Sequence, residues 1–202
     1  MSNPVKPKAA ASLVIVRNIN NKAKVLMGQR PKSAKFAPNV WVFPGGRVEK
    51  LDCNNQKINI SKKVLKDLKK LNSSPNLSRG LISAAIRETE EETSLRLINY
   101  KLDDLWVLAR AITPASQKLR FDTKFFVLNS NNFTKKIIGN GELNNLKFID
   151  LNKAIKLPLF DITEFLIEDL IKKYENQINN KHFPFFWRYK GSSRIISRPN
   201  NT

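Results

Sequence analysis

The first fifty residues hold short apolar runs that are separated by polar or turn-forming residues. The segments "SLVIVRN" (12–18) and "KVLMGQR" (24–30) predict two β-strands joined by an Asn-rich turn. The run "VWVFPGG" (40–46) predicts further β-structure that ends at Pro44 and two glycines. The N-terminal part of the chain is therefore expected to build neighbouring strands of one sheet.

Helical periodicity appears in three later segments. In "SKKVLKDLKKLN", Ser61 is a candidate N-cap and the apolar positions that follow have helical spacing. A second helix is predicted from about residue 77 to residue 95. The third, "DITEFLIEDLIKKYENQI" (161–178), carries one apolar stripe, formed by Ile162, Phe165, Leu166 and Leu170.

Strand-like segments lie between the second and third helices, at 105–112, 122–129 and 146–151. Interleaved strands and helices without an internal repeat predict an α/β sandwich built on a mixed sheet. We expect one domain over residues 12–180, with an irregular, polar segment at about 50–78. A tail at 181–202, which contains "FPFFWRYKG", is expected to pack against the domain.

The N-terminal "KPKAAASLVIVRN" has a basic start and a short apolar run, as a signal peptide does. It has no convincing cleavage site and Arg17 interrupts it early, so we interpret residues 1–11 as a disordered lead before a buried strand. No stretch approaches the roughly 20 apolar residues that span a bilayer. A cytoplasmic location is expected.

The counts of cysteine and histidine limit the kinds of catalytic or metal site that the chain can contain. One cysteine, Cys53, excludes a disulfide framework within the chain and a multi-cysteine zinc site. One histidine, His182, argues against Ser–His or Cys–His catalysis. Chemistry in this chain would have to use carboxylates, lysines, arginines or a bound ion.

The chain is strongly basic, with 36 Lys plus Arg against 17 Asp plus Glu and a formal net charge of +19. Such a balance indicates a nucleic-acid partner or an anionic substrate. The alternative is general compositional bias, and the many Asn-, Lys- and Ile-rich loops favour it for the total charge. Neither interpretation explains why carboxylates are concentrated in one short segment.

That segment is "AAIRETEEETSL" (84–95). On a helix, Glu88, Glu91 and Glu92 share one face, and Arg87 can pair with Glu91. Neighbouring carboxylates repel each other unless a cation lies among them, and Mg²⁺ or Mn²⁺ prefers oxygen ligands. The alternative is an ordinary solvated helix face. The turn "FPGG" (43–46) adds to the first interpretation, because residues without side chains let the main chain approach a phosphate or an ion.

Taken together, the glycine turn and the Arg-Glu-x-x-Glu-Glu helix resemble the signature of the Nudix hydrolase family. Gly46 is followed after five residues by Asp52, where the family has Glu, and "RETEEETS" places Ser94 where the family has Gly. Between Asp52 and Arg87 lie 34 residues, where the family usually has seven. This split signature resembles the branch that includes peroxisomal and bacterial coenzyme A diphosphatases. The segments "VLMGQRPKSAKFAPNVWVFPGGRVE" and "ARAITPASQKLRFDTKFFVL" add to the resemblance.

The resemblance implies a Nudix-type α/β/α sandwich and metal-dependent hydrolysis of a diphosphate bond. The implied metal ligands for Mg²⁺ or Mn²⁺ are Glu88, Glu91, Glu92 and a carbonyl of Gly45 or Gly46. Arg87 would orient the glutamates, and the general base would be a glutamate of the signature or of a later loop. Glu142 is the leading later candidate, although it equally fits an ordinary loop residue. Candidate substrate-binding residues are Arg30, Arg47, Glu49 and Arg120.

Coenzyme A or an acyl derivative is the expected substrate. The alternatives are a dinucleotide, a nucleotide sugar or a 5′-capped RNA, and a non-catalytic nucleotide-binding module. A small nucleotide-containing partner is expected, nucleic acid is less favoured, and both monomer and homodimer stay open. The basic side chains of the insertion indicate a flap over extra phosphate or a solvated helix face. For Asp122, a structural hydrogen bond is the expected role.

Overall fold

The computed structural model describes residues 4–19, 22–55, 57–174, 184–190 and 193–198. His182, and with it the start of the predicted tail, lies outside these ranges.

In the described part of the chain, nine β-strands form one sheet. Their bounds are β1 Lys8–Ile19, β2 Lys22–Gln29, β3 Trp41–Val42, β4 Gly45–Arg47, β5 Trp106–Ile112, β6 Phe121–Asn129, β7 Asn144–Asp150, β8 Phe185–Lys190 and β9 Ser193–Ser197.

The sheet is mixed, as the sequence predicts. Its main path runs in the order β3-β2-β1-β6-β5-β8-β9, while β4 pairs with β1 and β7 pairs with β2. The strand pairs β1–β6 and β5–β8 are parallel, and the other pairs are antiparallel. The central strands β1 and β6 are apolar along most of their length because both faces of the sheet are covered.

Helices cover both faces and complete an α/β/α sandwich. The helices are α1 Lys62–Lys70, α2 Pro75–Thr93, α3 Leu151–Ala154 and α4 Asp161–Tyr174. Two buried clusters separate along the alternation of the central strand: Leu13 and Ile15 pack on the side of α2, and Val14 and Val16 on the side of α4.

The strands and helices that were predicted agree in type with the structure, and three points differ. The predicted β-run at 40–46 is divided into β3 and β4, and Gly45 and Gly46, which were expected to end it, belong to β4. Strand β1 begins at Lys8 rather than residue 12, so the segment 8–11 that was assigned to the lead is paired with β6. The tail was expected only to pack against the domain. In the structure β8 extends the sheet beside β5, and β9 pairs with β8. Edge pairing depends on a partner strand far along the chain, which local pattern does not reveal.

The insertion is part of the core. Ser61 caps α1 by accepting a hydrogen bond from the Val64 amide, as predicted. Val64 and Leu68 are buried among residues of α2 and β5, together with Ile58 and Leu71 from the flanking turns. The lysines of α1 lie on the outer side, so the segment presents a basic surface from a firmly packed helix.

Within the described ranges, no helix combines the length and the apolar character that crossing a membrane requires.

Candidate active site

The acidic segment lies on α2, whose two ends are well defined. Ser74 accepts a hydrogen bond from the Leu77 amide, and Pro75 follows it at the first helical position. The helix stops at Ser94, which adopts a left-handed conformation with φ of 58°. This conformation is favoured by glycine, which explains why the Nudix signature has Gly where this chain has Ser. The Ser94 hydroxyl donates to the Ile138 carbonyl at 2.6 Å, so the serine is held in place.

The glycine turn lies directly against α2. Gly45 and Gly46 belong to β4, which pairs with β1 through Ser12 and Ala11. A Cβ atom on Gly46 would lie only 2.3 Å from Oε1 of Glu88. A residue with a side chain at this position would therefore push the Glu88 carboxylate away.

Arg87 is the centre of a hydrogen-bond network. Its Nε and Nη2 atoms donate to the two oxygens of Asp52, each at 3.0 Å. Nη1 donates to Glu88 at 3.0 Å and to Glu91 at 3.1 Å, and Nη2 also donates to the Arg47 carbonyl at 3.1 Å. The pairing of Arg87 with Glu91 agrees with the sequence prediction. The hydrogen bond to Asp52 raises the pKa of Arg87, whose guanidinium stays charged.

Glu92 is the buried carboxylate of the group. Its Oε2 accepts a hydrogen bond from the Gly45 amide at 3.0 Å. Burial raises the pKa of Glu92 to about 8; the Gly45 hydrogen bond and the charge of Arg30 oppose this, while the charges of Glu88 and Glu142 add to it. Arg30 and Glu142 are thus close enough to act on this carboxylate.

Glu88 lies on the same face of α2 as Glu91 and Glu92. Burial raises its pKa; Arg87 opposes the shift, and the charges of Glu91 and Glu142 reinforce it. Glu142, in the loop before β7, is therefore near enough for its charge to act on Glu88 and Glu92. The amide of Glu142 is fixed by the Asn140 side chain at 2.9 Å.

The donor chemistry of this site fits a hard divalent cation. Carboxylate oxygens and main-chain carbonyls are the ligands that Mg²⁺ prefers, and Glu88 lies against a turn without side chains. In the part of the chain that the structure describes, no three acidic, histidine or cysteine side chains are gathered as a metal site. Glu91 is drawn toward Arg87, and Glu92 toward Gly45. Metal ligation by Glu88, Glu91 and Glu92 accordingly stays a prediction.

The four candidate substrate-binding residues lie in different settings. The charge of Arg30 acts on Glu92. Arg47 is exposed and follows Gly46, so its side chain leaves the sheet on the face opposite Glu88. Glu49 is exposed and donates its amide to Asp52 at 2.8 Å. Arg120 donates to the carbonyls of Thr113 and Val5, which ties the N-terminal segment to the β5–β6 turn.

Asp122 has the structural role that its sequence context predicted. It accepts two hydrogen bonds from Arg110, at 2.9 and 2.8 Å, and one from the buried Lys124 at 2.9 Å. These charged partners compensate one another inside the sheet.

Asp52 is the site residue whose role sequence reasoning did not assign. It is buried, with 5% of its side chain exposed, and it fixes two of the donors of Arg87. Its spacing from Gly46 marked the first acidic position of the Nudix signature. Its partner could not be read from the chain because the insertion separates it from Arg87.

Solved structures share this arrangement of sheet and helices. A NUDIX hydrolase from Alicyclobacillus acidocaldarius superposes with a TM-score of 0.62 and 19% identity, covering 83% of this chain and 92% of that one. A MutT protein from Bacillus halodurans gives 0.56 and 12%, covering 94% and 97%. The fold is the Nudix fold. The NUDIX domain of NrtR from Shewanella oneidensis, solved with ADP ribose, gives a TM-score of 0.55 with 15% identity, covering 84% and 89%.

Sequence comparison adds one Nudix relative. The chain is 35% identical over 95 residues to the m7GpppN-mRNA hydrolase NUDT17 of Xenopus laevis, a match that covers 46% of this chain and 22% of the relative. The match thus spans only about a fifth of the relative's length. No protein-family model matches the chain. The chain is thus similar to Nudix proteins in its fold and, over 95 residues, similar in sequence to one relative.

Proposed function

We propose that this chain hydrolyses the diphosphate bond of a nucleoside diphosphate-linked substrate and requires Mg²⁺ or Mn²⁺. The observation that carries the proposal is the contact of the Gly45–Gly46 turn with Glu88 and Glu92, held in register by Arg87. In this reaction water adds to one phosphorus, and the bond from that phosphorus to the bridging oxygen breaks. A bound divalent cation would neutralise developing charge and favour deprotonation of the attacking water.

Each residue of the site has a proposed role. Glu88, Glu91 and Glu92 would hold the cation, with a carbonyl of Gly45 or Gly46. Arg87 orients Glu88 and Glu91 and, through Asp52, is itself oriented; it is a positioning residue.

Glu142 is the proposed general base, because it approaches the same carboxylates from a separate loop. Glu91 is the alternative within the signature. The positive charge of Arg30 suits a phosphate of the substrate.

Coenzyme A, or an acyl derivative, is the proposed substrate. It contains an adenine nucleotide joined through a diphosphate to a second group, and its branch of the family has the divided signature that this chain resembles. The basic outer side of α1 could then meet the additional phosphate of coenzyme A.

A 5′-capped RNA is the second candidate. The similarity to the Xenopus laevis mRNA hydrolase favours it, and so does the net charge of +19. Binding of RNA to this surface would weaken steeply with salt, whereas turnover of a small substrate would depend on salt far less.

The deciding experiment is an activity screen with Mg²⁺ and with Mn²⁺ on coenzyme A, acetyl-coenzyme A, ADP-ribose and m7G-capped RNA. Two variants accompany the wild type: Glu91→Gln/Glu92→Gln, which removes two proposed ligands, and Glu164→Gln, a matched change at an exposed position on α4. We expect product with the wild type and Glu164→Gln and none with the double variant. Release of 3′,5′-ADP and phosphopantetheine identifies coenzyme A as substrate.

Two results would count against the proposal. Equal turnover by the double variant would show that the carboxylates of α2 are not the catalytic group. Metal binding without turnover of any substrate in the panel would favour the non-catalytic nucleotide-binding alternative.

A further inference from the structure

An exposed aromatic ring lies in the loop that follows Arg30. Phe36 is 39% exposed, although it is a large apolar residue. One face of its ring stacks on Phe160, with centroids 5.8 Å apart and an interplanar angle of 18°. Single exposed apolar side chains are common on proteins. A ring that is backed by a second ring and keeps part of its surface exposed to solvent resembles a prepared stacking surface.

Two main-chain hydrogen bonds join the beginning and the end of the loop that carries Phe36. The Arg30 amide donates to the Val40 carbonyl at 2.9 Å, and the Asn39 amide donates to the Arg30 carbonyl at 3.1 Å. Within the loop, Ala37 and Asn39 have positive φ values of 45° and 63°. Left-handed backbone at alanine is unfavourable and is retained only where surrounding contacts hold it. The position of Phe36 is thus fixed by its loop.

Arg30 connects this ring to the carboxylates. Its Nε donates to the Phe36 carbonyl at 2.9 Å, and its guanidinium carbon lies 6.0 Å from the centroid of the Phe36 ring. Arg30 also lies near the loop that contacts α2: Gly28, two residues earlier, packs against Leu143, and Gly139 of the same loop lies against the main chain of Glu92. The partly exposed Phe36 ring, the Arg30 guanidinium and the carboxylates of α2 therefore belong to one region of the fold. A nucleotide has groups that match them: a phosphate for the cation, then a sugar, then a planar base.

We infer that Phe36, backed by Phe160, is the stacking platform for the base of a nucleotide whose phosphate lies at Arg30. The inference rests on the proposed function, since it places the nucleoside half of that substrate. A purine suits the platform better than a pyrimidine, because its larger ring system covers more of the aromatic face. Both candidate substrates, coenzyme A and capped RNA, carry a purine next to the diphosphate.

The test compares two ligands that differ only in the base, AMP and ribose 5-phosphate. Neither has a diphosphate bond, so binding can be measured whether or not the chain is a hydrolase. Dissociation constants would be determined by NMR titration for the wild type, Phe36→Ala, Phe36→Trp and Ile196→Ala. Ile196, 43% exposed on β9 at the far edge of the sheet, provides the matched apolar truncation. Arg30 is not varied, because its side chain also holds the loop.

We expect the wild type to bind AMP roughly 5- to 100-fold more tightly than ribose 5-phosphate, the range of base–aromatic stacking. Phe36→Ala should abolish most of this preference, Phe36→Trp should restore it, and Ile196→Ala should leave it unchanged. A wild type without preference for AMP overturns the inference. So does a Phe36→Ala protein that keeps the preference or loses affinity for both ligands equally. A failed activity screen with an intact AMP preference would reject the hydrolase and retain the platform.

Discussion

Asp52 and Arg87 lie 35 residues apart in the chain, and the Asp52 carboxylate accepts two hydrogen bonds from the Arg87 guanidinium, each 3.0 Å long. Arg87 extends the contact to Glu88 and Glu91. Asp52, at the start of the insertion, thereby helps to orient Glu88 and Glu91, which follow the insertion. The insertion separates these residues in sequence without separating them in space.

Removing the Asp52 carboxylate should lower activity. Asp52→Asn presents an amide N–H to Arg87 and loses the charge-assisted pairing. We expect kcat to fall about 10- to 100-fold, the usual effect of disturbing a partner of a metal ligand. Asp52→Glu, which has the residue of the Nudix signature, should keep most of the activity. Asp103→Asn, in an exposed pair with Lys101, is the control. Full activity of Asp52→Asn would show that Arg87 keeps its orientation without the Asp52 carboxylate.

A methyl group on Gly46 should damage the site with little effect on folding. In Gly46→Ala the new Cβ would lie 2.3 Å from Oε1 and 2.4 Å from Cδ of Glu88, so the carboxylate must move. Displacing a catalytic group by about 1 Å costs on the order of 100-fold in rate. Steady-state kinetics would measure this, and thermal unfolding would check stability. Unchanged kcat in a folded Gly46→Ala protein would contradict the placement of Glu88 in the site.

Two variants of Ser94 lose the same hydrogen bond but differ in backbone strain, so comparing their stabilities isolates the effect of the backbone. Ser94→Ala loses the hydrogen bond to Ile138 and keeps the unfavourable left-handed backbone. Ser94→Gly loses the same bond and relieves the backbone. We therefore expect Ser94→Ala to be the less stable variant, by about 1 kcal/mol. Urea unfolding would test the order, and equal stability would mean that the helix end relaxes in the alanine variant.

Asp122 should make stability depend on pH. Burial alone would raise its pKa, but the hydrogen bonds and charges of Arg110 and Lys124 lower it overall. The unfolded state therefore takes up the proton first, so the stabilisation is complete above about pH 4 and is lost as pH falls through the folded-state pKa. Asp122→Asn should destabilise the protein by about 3 kcal/mol at pH 7, since it leaves Lys124 buried without its carboxylate.

Urea titrations of wild type and Asp122→Asn at pH 7 and pH 3 measure this dependence. The difference between the two proteins should be smaller at pH 3, because the carboxyl group of the unfolded wild type is then mostly protonated and part of the stabilisation is lost. The double variant Asp122→Asn/Lys124→Met should recover part of the lost stability at pH 7. A difference that does not change with pH would show that the carboxylate charge is not the source of the effect.

The insertion should be required for folding. Leu68 is fully buried in the cluster shared with α2. Leu68→Ala should cost about 2 to 5 kcal/mol in the free energy of unfolding, while Lys66→Ala, at an exposed position of the same helix, should change it by less than about 0.5 kcal/mol. Urea unfolding of both variants gives the comparison. A small effect of Leu68→Ala would mean that α1 packs only loosely on the domain.

The sequence by itself determined the types of the main elements and the place of the acidic helix. Apolar runs and helical spacing are local properties, and they marked β1, α1, α2 and α4 correctly. The acidic segment and the Gly45–Gly46 turn were recognisable because their chemistry is concentrated in a few consecutive residues. The structure shows these two segments in contact.

The tertiary structure decided which of the candidates meet. It joined Asp52 to Arg87 across the insertion, brought Arg30 and Glu142 near enough for their charges to act on Glu92, and left Arg47 exposed. It also made the insertion part of the core and added β8 and β9 to the sheet. It stacked the partly exposed ring of Phe36 on Phe160. All of these relations depend on residues far apart in the chain. Residue patterns within a segment carry no information about such partners, which only the packing of the whole domain selects.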